Sequence, residues 1–218
     1  MNEKTAQFSL RGLFQPRDLT EGTPWKTILA FALPIIISYL LQQVYTISDA
    51  AIVGQTLTAG EVAGVNDTTS IIFIFLQFAF GVSAGFCVVT AAEVGAHHEA
   101  GVRRSLAAQI LLSAALTVLL TGLALLLLKP MLAWINVTPE SPEVYRAAHT
   151  YCAIIFAGIG AQLFYNFICS FLRSMGDSVT PLLFLLFSTI LNIGLDLLFI
   201  VSFHWGVAGA AIATVLSQ

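Results

Sequence analysis

Two aspartates lie inside long apolar stretches of this chain, where a membrane would make a charge costly. Asp49 closes a run that begins at Thr27, and Asp196 interrupts the run from Pro181 to Phe203. A carboxylate at the centre of a bilayer costs roughly 2.5–3.5 kcal/mol on insertion scales, and such residues usually face a bundle interior or a water-filled path. We therefore predict that Asp49 and Asp196 mark a functional site.

The chemistry open to such a pair is the binding of a small cation. Burial without a fixed positive charge disfavours the ionised form of a carboxylate, and a second carboxylate nearby disfavours it further, so either aspartate can hold a proton near neutral pH. A sodium ion can take the place of that proton. Sodium prefers hard oxygen ligands, and these are supplied by Asp49, Asp196, the Asn192 amide and the Thr214 hydroxyl. The same four residues can serve either ion.

Polar side chains recur at helical spacing around both aspartates. In the first run Ser38, Gln42, Tyr45 and Asp49 are spaced four, three and four apart, which places them on one face of a helix. Similar stripes follow in two later runs, as Gln162, Asn166 and Ser170 with Tyr151 on a nearby flank, and as Ser188, Asn192 and Asp196. A single Ser, Asn or Gln can simply join helices through a hydrogen bond worth roughly 0.6 kcal/mol. Function is favoured for the aspartates, because no Lys or Arg lies within any of the apolar runs to pair with them.

The elements that carry these residues are predicted to be membrane helices. Hydrophobic residues make up 57% of the chain, charged residues only 10%, and the mean hydropathy is +0.87. Four charge-free stretches of 22, 25, 24 and 26 residues are each long enough to cross a bilayer, and a fifth continues past Asp196. A sixth is still apolar at Gln218, so we expect the chain to be truncated inside it. The predicted helices span 27–53, 62–92, 104–128, 144–172, 181–203 and 206–218.

Basic residues predict the orientation and the domain limits. Seven of the nine Lys and Arg residues fall before the first helix or in the second and fourth loops, and only Lys129 and Arg146 fall on the other side. This asymmetry places the amino terminus in the cytoplasm. We predict a cytoplasmic tail over 1–24 and one transmembrane lobe over 25–218. The tail has no isolated apolar core with a cleavage site, so it does not resemble a signal peptide.

Other functional classes find little support. Cys87, Cys152 and Cys169 share no spacing suited to a metal or a disulfide framework. No basic patch with interleaved aromatics indicates nucleic acid, and no HExxH or GxSxG motif indicates an enzyme. We expect no cofactor. The pair Gly81 and Gly85 predicts close helix packing rather than a ligand site.

Three segments together resemble the amino-terminal half of a prokaryotic multidrug and toxic compound extrusion (MATE) transporter. They are Leu33-Pro34-Ile35-Ile36 followed by Ser48 to Gly54, the loop from Leu172 to Pro181 with Tyr165-Asn166 ahead of it, and Leu191 to Ile200. The resemblance covers Trp25 to Gln218. It implies one six-helix lobe of a twelve-helix protein whose two lobes surround a central cavity. The carboxy-terminal lobe would then be a missing partner.

The resemblance also implies roles for individual residues. Asp49, Asn192, Asp196 and Thr214 match positions of a cavity that binds a proton or sodium, so these four are the metal ligands if the ion is sodium. Pro34 matches a proline at which the first helix bends. Tyr151 and Asn166 match cavity-lining positions, and we add Gln42, Tyr45, Gln162 and Ser188 as candidates for the cavity wall or the substrate path.

The implied function is cation-coupled antiport that exports organic, cationic drugs and xenobiotics across a bacterial inner membrane. Two alternatives stay open. A flippase of lipid-linked saccharides has the same broad architecture, although the lack of basic residues inside the spans argues against an anionic lipid substrate. A membrane scaffold that binds a partner lobe without moving a substrate would use the polar stripes as an interface.

Overall fold

The computed structural model describes residues 23–218, and the regular structure in that part of the chain is helical throughout. The helices are α1 (Pro24–Thr56), α2 (Ala59–Gly95), α3 (Glu99–Trp134), α4 (Pro142–Ala157), α5 (Ile159–Ser174), α6 (Val179–Asp196), a π-helix (Leu197–Ser202) and α7 (Gly206–Ser217). Nearly all of the tail predicted over 1–24 lies outside the described residues.

The first three helices extend beyond the predicted limits by several residues at each end. At 33 residues α1 is ~50 Å long, whereas the hydrocarbon core of a bilayer is ~30 Å thick. The predicted spans stopped at charged residues, but a helix continues into the headgroup region, where those charges are solvated. Among the described residues, four helices are long and apolar enough to cross a membrane, or five if α4 and α5 form one bent span. The twelve residues of α7 form a shorter apolar helix.

The helix predicted over 144–172 is interrupted, because the structure has two helices in this region, α4 and α5. The chain breaks at Gly158, and α4 and α5 are bent by 47° relative to each other. The side chain of Val215 on α7 fills the space where a Cβ of Gly158 would stand, with Cγ2 at 2.4 Å from that position. A glycine is therefore required at the bend, because any side chain would overlap Val215.

Two further departures lie next to predicted site residues. The fifth predicted helix is α-helical only as far as Asp196 and continues as the π-helix. The first predicted helix is unbroken across Pro34, and the Ser38 hydroxyl donates to the Pro34 carbonyl at 2.8 Å. A bend at Pro34 stays a prediction.

The packing divides the lobe into two groups of helices joined by α7. The main core lies between α2, α3, α4 and α5, around the fully buried Phe156, Leu132 and Leu163. Helix α1 packs chiefly against α6, while α7 packs against α4, α6 and the π-helix. Gly209 allows the last contact, since its Cβ position is 3.1 Å from the Phe199 backbone. The seam where α1, α6 and α7 meet α4 is where both aspartates lie.

Candidate functional site

Helices α1 and α6 bring the two predicted aspartates together. Asp49 lies on α1, two turns before its end, and Asp196 is the last residue of α6. Because α1 packs along α6, their carboxylates come within hydrogen-bonding reach of each other. Tyr45 and Tyr151 lie close enough to both aspartates to interact with them electrostatically. The site thus contains two carboxylates and two phenols.

Helix α7 closes the site with hydroxyl groups. The Tyr45 hydroxyl lies beside the side chains of Thr214 and Ser217. Thr214 donates its proton to the Ala210 carbonyl at 3.0 Å, and Ser217 donates to the Thr214 carbonyl at 3.0 Å. Each hydroxyl oxygen therefore keeps lone pairs with which it can accept a proton donor or bind a cation.

The most informative property of the site is its unsatisfied polar atoms. Asp196 and Asn192 are both 0% exposed, and neither oxygen of Asp196 nor either polar atom of the Asn192 side chain has a hydrogen-bond partner among the described residues. The same holds for Oδ1 of Asp49 and the hydroxyl of Tyr45. Buried polar atoms nearly always have a partner, since an unmade hydrogen bond costs about 1–3 kcal/mol.

This arrangement suits a small cation on physical grounds. Two ionised carboxylates have no donor between them, so their contact becomes a hydrogen bond only when one of them holds a proton. Neither forms an ion pair with a basic side chain in the part of the chain that the structure describes. Residues 23–218 contain no group of three or more His, Cys, Asp or Glu side chains suited to a metal, so sodium would need the neutral oxygens of Asn192 and Thr214 as well.

The structure places the remaining predicted residues less centrally. Ser188 and Asn166 are buried, on α6 and α5 respectively, and Gln162 is half-buried on α5. Gln42 lies exposed on α1. The side chains of these four residues form no hydrogen bond with a described residue, so their assignment to the cavity wall stays a prediction. Tyr151 and Asn166 were predicted on one helix but lie on opposite sides of the bend at Gly158.

Two polar features of the structure escaped the sequence analysis. Ser217 lies three residues after Thr214, so helical periodicity would have placed it on the same face of α7. A second polar cluster lies between α2 and α3, where the Gln109 amide donates to the Phe86 carbonyl at 3.0 Å and to Thr90 and Ser105, and accepts from Cys87 at 3.4 Å. Every polar atom of the Gln109 side chain is thus satisfied, which marks this cluster as a structural contact.

Comparison with known proteins identifies the family. The profile described as MatE matches residues 34–198 of this chain. The chain belongs to the MatE family. This confirms the resemblance drawn from the sequence motifs, and the match contains Asp49, Asn192 and Asp196.

Curated relatives of this MatE chain carry multidrug resistance names. It is 33% identical over 207 residues to the probable multidrug resistance protein YpnP of Bacillus subtilis, which covers 92% of this chain and 44% of the relative. It is 28% identical over 199 residues to the probable multidrug resistance protein NorM of Thermotoga maritima, covering 88% of this chain and 42% of that protein.

Solved structures show the same architecture. A MOP superfamily transporter from Pyrococcus furiosus superposes with a TM-score of 0.81 at 28% identity, over 91% of this chain and 43% of that one. An outward-facing multidrug resistance MATE family transporter gives a TM-score of 0.83 at 28% identity, over 90% and 43%. The predicted all-α fold of one transporter lobe is confirmed. The chain spans less than half the length of the relatives it matches.

Proposed function

We propose that this chain forms the amino-terminal half of a cation-coupled antiporter that exports organic, cationic drugs and xenobiotics. The names of its relatives support multidrug efflux by the family. The observation that carries the coupling is the Asp49–Asp196 contact, with Asn192 and Asp196 fully buried and all of their side-chain polar atoms unsatisfied. A proton or a sodium ion from outside would supply the missing positive charge.

The binding of that cation would change how α1 packs against α6. With the charge neutralised, the two carboxylates no longer repel each other, and α1 can approach α6 and bend near Pro34. Substrate release would follow from this rearrangement of the lobe. A cavity without Lys or Arg suits a bulky cationic substrate. The membrane spans of this chain contain neither residue.

The whole transporter requires a second lobe, because the relatives are more than twice as long as the matched region. We place the assembled protein in a bacterial inner membrane with its amino terminus in the cytoplasm, as the distribution of basic residues favours. Small organic molecules, the lipid bilayer and the carboxy-terminal lobe are its partners.

Gradient-driven efflux tests the proposal. The chain is joined to its carboxy-terminal lobe, and export of a fluorescent cationic dye is followed under imposed proton and sodium gradients. We expect Asp49→Asn and Asp196→Asn each to lower gradient-driven efflux at least tenfold, and the gradient that supports efflux in the parent protein identifies the ion. Glu140→Gln, an exposed carboxylate outside the site, is the matched control and should retain efflux. Unchanged efflux in both aspartate variants would refute the assignment.

A further inference from the structure

A tight contact between α7 and the bend of α4 and α5 lies next to the proposed cation site. Val215 follows Thr214 on α7, and its γ-carbons fill the space that a side chain of Gly158 would need, with Cγ1 at 2.7 Å from a Cβ built there. We call this space the Gly158 notch. The backbone of Gly158 has φ −85° and ψ 1°, which is outside the left-handed region that favours glycine. Glycine is therefore needed in the notch for room and not for its backbone angles.

The Gly158 notch has a fixed shape, because backbone hydrogen bonds hold both of its edges. The Gly158 N–H donates to the Ile154 carbonyl at 3.0 Å and ends α4, while the Gly158 carbonyl accepts from the Ala161 N–H at 3.0 Å and begins α5. Valine is also rigid, since two carbons on Cβ leave one strongly preferred χ1 rotamer in a helix. Val215 and the notch thus form a contact between two stiff parts.

Few other side chains can fix the position of α7 at this end. The helix consists mainly of glycine and alanine over 206–213. In its last turn Leu216 is 59% exposed, whereas Val215 is half-buried and packs against the main core. The hydroxyls of Thr214 and Ser217 donate to carbonyls of α7 itself, at 3.0 Å each. Val215 is therefore the large apolar side chain that joins the last turn to the rest of the lobe.

The rotation of this turn decides where the Thr214 oxygen lies. Successive residues of a helix point about 100° apart, so Thr214 can face the aspartates while Val215 faces the Gly158 notch. Side chains extend to about 5 Å from a helix axis, so a rotation of about 12° moves a side-chain oxygen by about 1 Å. Ligand distances in a cation site tolerate only about 0.2 Å, so a small rotation of α7 would weaken the site.

We propose that Val215 is a positioning residue of the cation site. Seated in the Gly158 notch, it fixes the rotation of the last turn of α7 and holds the Thr214 oxygen at the distance that the cation needs. This inference rests on the proposed cation coupling. It gives a role in ion affinity to a side chain without polar atoms, and it gives the bend between α4 and α5 a function.

An exchange of size between the two residues tests this role in the transporter joined to its carboxy-terminal lobe. Val215→Ala empties the Gly158 notch and Gly158→Ala overfills it. We expect each variant to raise the half-saturating ion concentration for dye efflux about fivefold, as the loss of one hydrogen-bond-sized contact would, with a similar maximal rate. The double variant moves a methyl group from α7 into the notch, so its half-saturating concentration should return to within about twofold of the parent value.

Two outcomes of this exchange would overturn the proposal. One is the same half-saturating concentration in Val215→Ala as in the parent protein. The other is a double variant whose defect equals the product of the two single defects, because independent sites combine in that way and a shared contact does not.

Two controls separate position from stability. Val215→Thr keeps both branches at Cβ, so it should retain the ion affinity while its added hydroxyl lowers the unfolding temperature. Gly160→Ala lies in the same bend, but its Cβ would stand 3.0 Å from Cγ2 of Thr117 on α3. It should lower stability without changing the half-saturating ion concentration. An equal loss of affinity in Gly160→Ala would mean that any strain in the bend acts on the site, and Val215 would lose its assignment.

Spin-label distances test the positioning without requiring transport. In a cysteine-free joined transporter, nitroxides are placed at Leu216 on α7 and Phe164 on α5, which are 59% and 63% exposed, and double electron–electron resonance gives their distance distribution. We expect Val215→Ala to broaden the distribution and the double variant with Gly158→Ala to narrow it again. An identical distribution in all three proteins would overturn the proposal. If the parent protein shows no coupled efflux, the proposed function fails, while these distances still decide whether Val215 positions α7.

Discussion

Asn192 is the residue whose surroundings are hardest to explain by packing. It is fully buried, and its amide has neither donor nor acceptor partner among the described residues. A buried amide with a purely structural role is expected to be hydrogen-bonded, whereas an amide that binds a ligand lacks a partner when the ligand is absent. A cation held by Asp196 would bring Asn192 the partner that it lacks.

This reasoning predicts that Asn192→Leu separates stability from function. Leucine has a similar volume and no polar atoms, so the cost of about 1–3 kcal/mol for unsatisfied buried groups disappears. We expect the unfolding temperature of the lobe to stay the same or rise, while cation-driven efflux by the joined transporter falls at least tenfold. Thermal unfolding in detergent and dye efflux measure the two effects. A lower unfolding temperature would show that Asn192 is a structural residue.

Thr189→Val is the matched control for that experiment. Thr189 is buried on the same helix, but its hydroxyl donates to the Leu185 carbonyl at 2.8 Å and is therefore satisfied within α6. Its replacement should leave efflux within about twofold of the parent protein. A loss as large as that of Asn192→Leu would mean that any polar change in α6 disturbs transport.

Single residues of the site could be predicted from the sequence where a polar residue falls in an apolar run and repeats at helical spacing. Asp49 and Asp196 stood out because charge is rare in an apolar run, and the four-residue spacing placed Asn192 beside Asp196. The contact of Glu61 and Glu143 with the Thr58 hydroxyl gave no such signal, because both residues fall outside the charge-free runs and are brought together only by the tertiary fold. Distance along the chain therefore limits sequence reasoning at this contact.

At the scale of elements, the positions of the helices followed from the charge-free runs, but their internal irregularities did not. Gly158 and Gly160 lie within a run of 26 uncharged residues, where hydrophobicity is uniform and a bend changes no pattern. The bend depends on Val215, which is 57 positions away. The sequence likewise gives no signal for the π-helix after Asp196, because a π-helix depends on backbone hydrogen bonding and not on residue type.

Two glycines of α2 provide a direct test of helix packing. A Cβ at Gly64 would stand 2.6 Å from the Val144 carbonyl oxygen and 2.8 Å from Cβ of Ala147, whereas nothing lies within 4 Å of a Cβ at Gly81. The predicted close contact at Gly81 and Gly85 is thus absent within the described residues. The close approach of α2 and α4 occurs at Gly64 instead.

We expect Gly64→Ala to lower the stability of the lobe by about 1–3 kcal/mol, because overpacking against backbone atoms forces the two helices apart. Gly81→Ala on the same helix should be neutral or slightly stabilising, since alanine is the better helix former by about 1 kcal/mol. Thermal unfolding of the purified chain, followed by size-exclusion chromatography after heating, compares the two variants. Equal unfolding temperatures would contradict the packing of α2 against α4.

At the scale of the whole molecule, the lobe presents two kinds of exposed helix surface. Helix α3 exposes large aliphatic side chains such as Leu126 and Leu119, which suit contact with lipid. Helix α1 also exposes amides, at Gln42 and Gln43, in the middle of an apolar span. Lipid offers an amide no hydrogen bonds, so this part of α1 is expected to face water or another lobe.

This difference predicts where water reaches the assembled transporter. In a cysteine-free background joined to the carboxy-terminal lobe, Gln42→Cys should react with a charged methanethiosulfonate at least tenfold faster than Leu126→Cys, which is 81% exposed in this chain. The physical reason is that charged reagents and thiolates both require water, which a central cavity contains and hydrocarbon excludes. Addition of a transported cationic dye should slow the Gln42→Cys reaction if that residue lines the substrate path. Slow labelling at both positions would instead place the polar face of α1 against lipid or a dry interface, and Gln42 would no longer be a cavity residue.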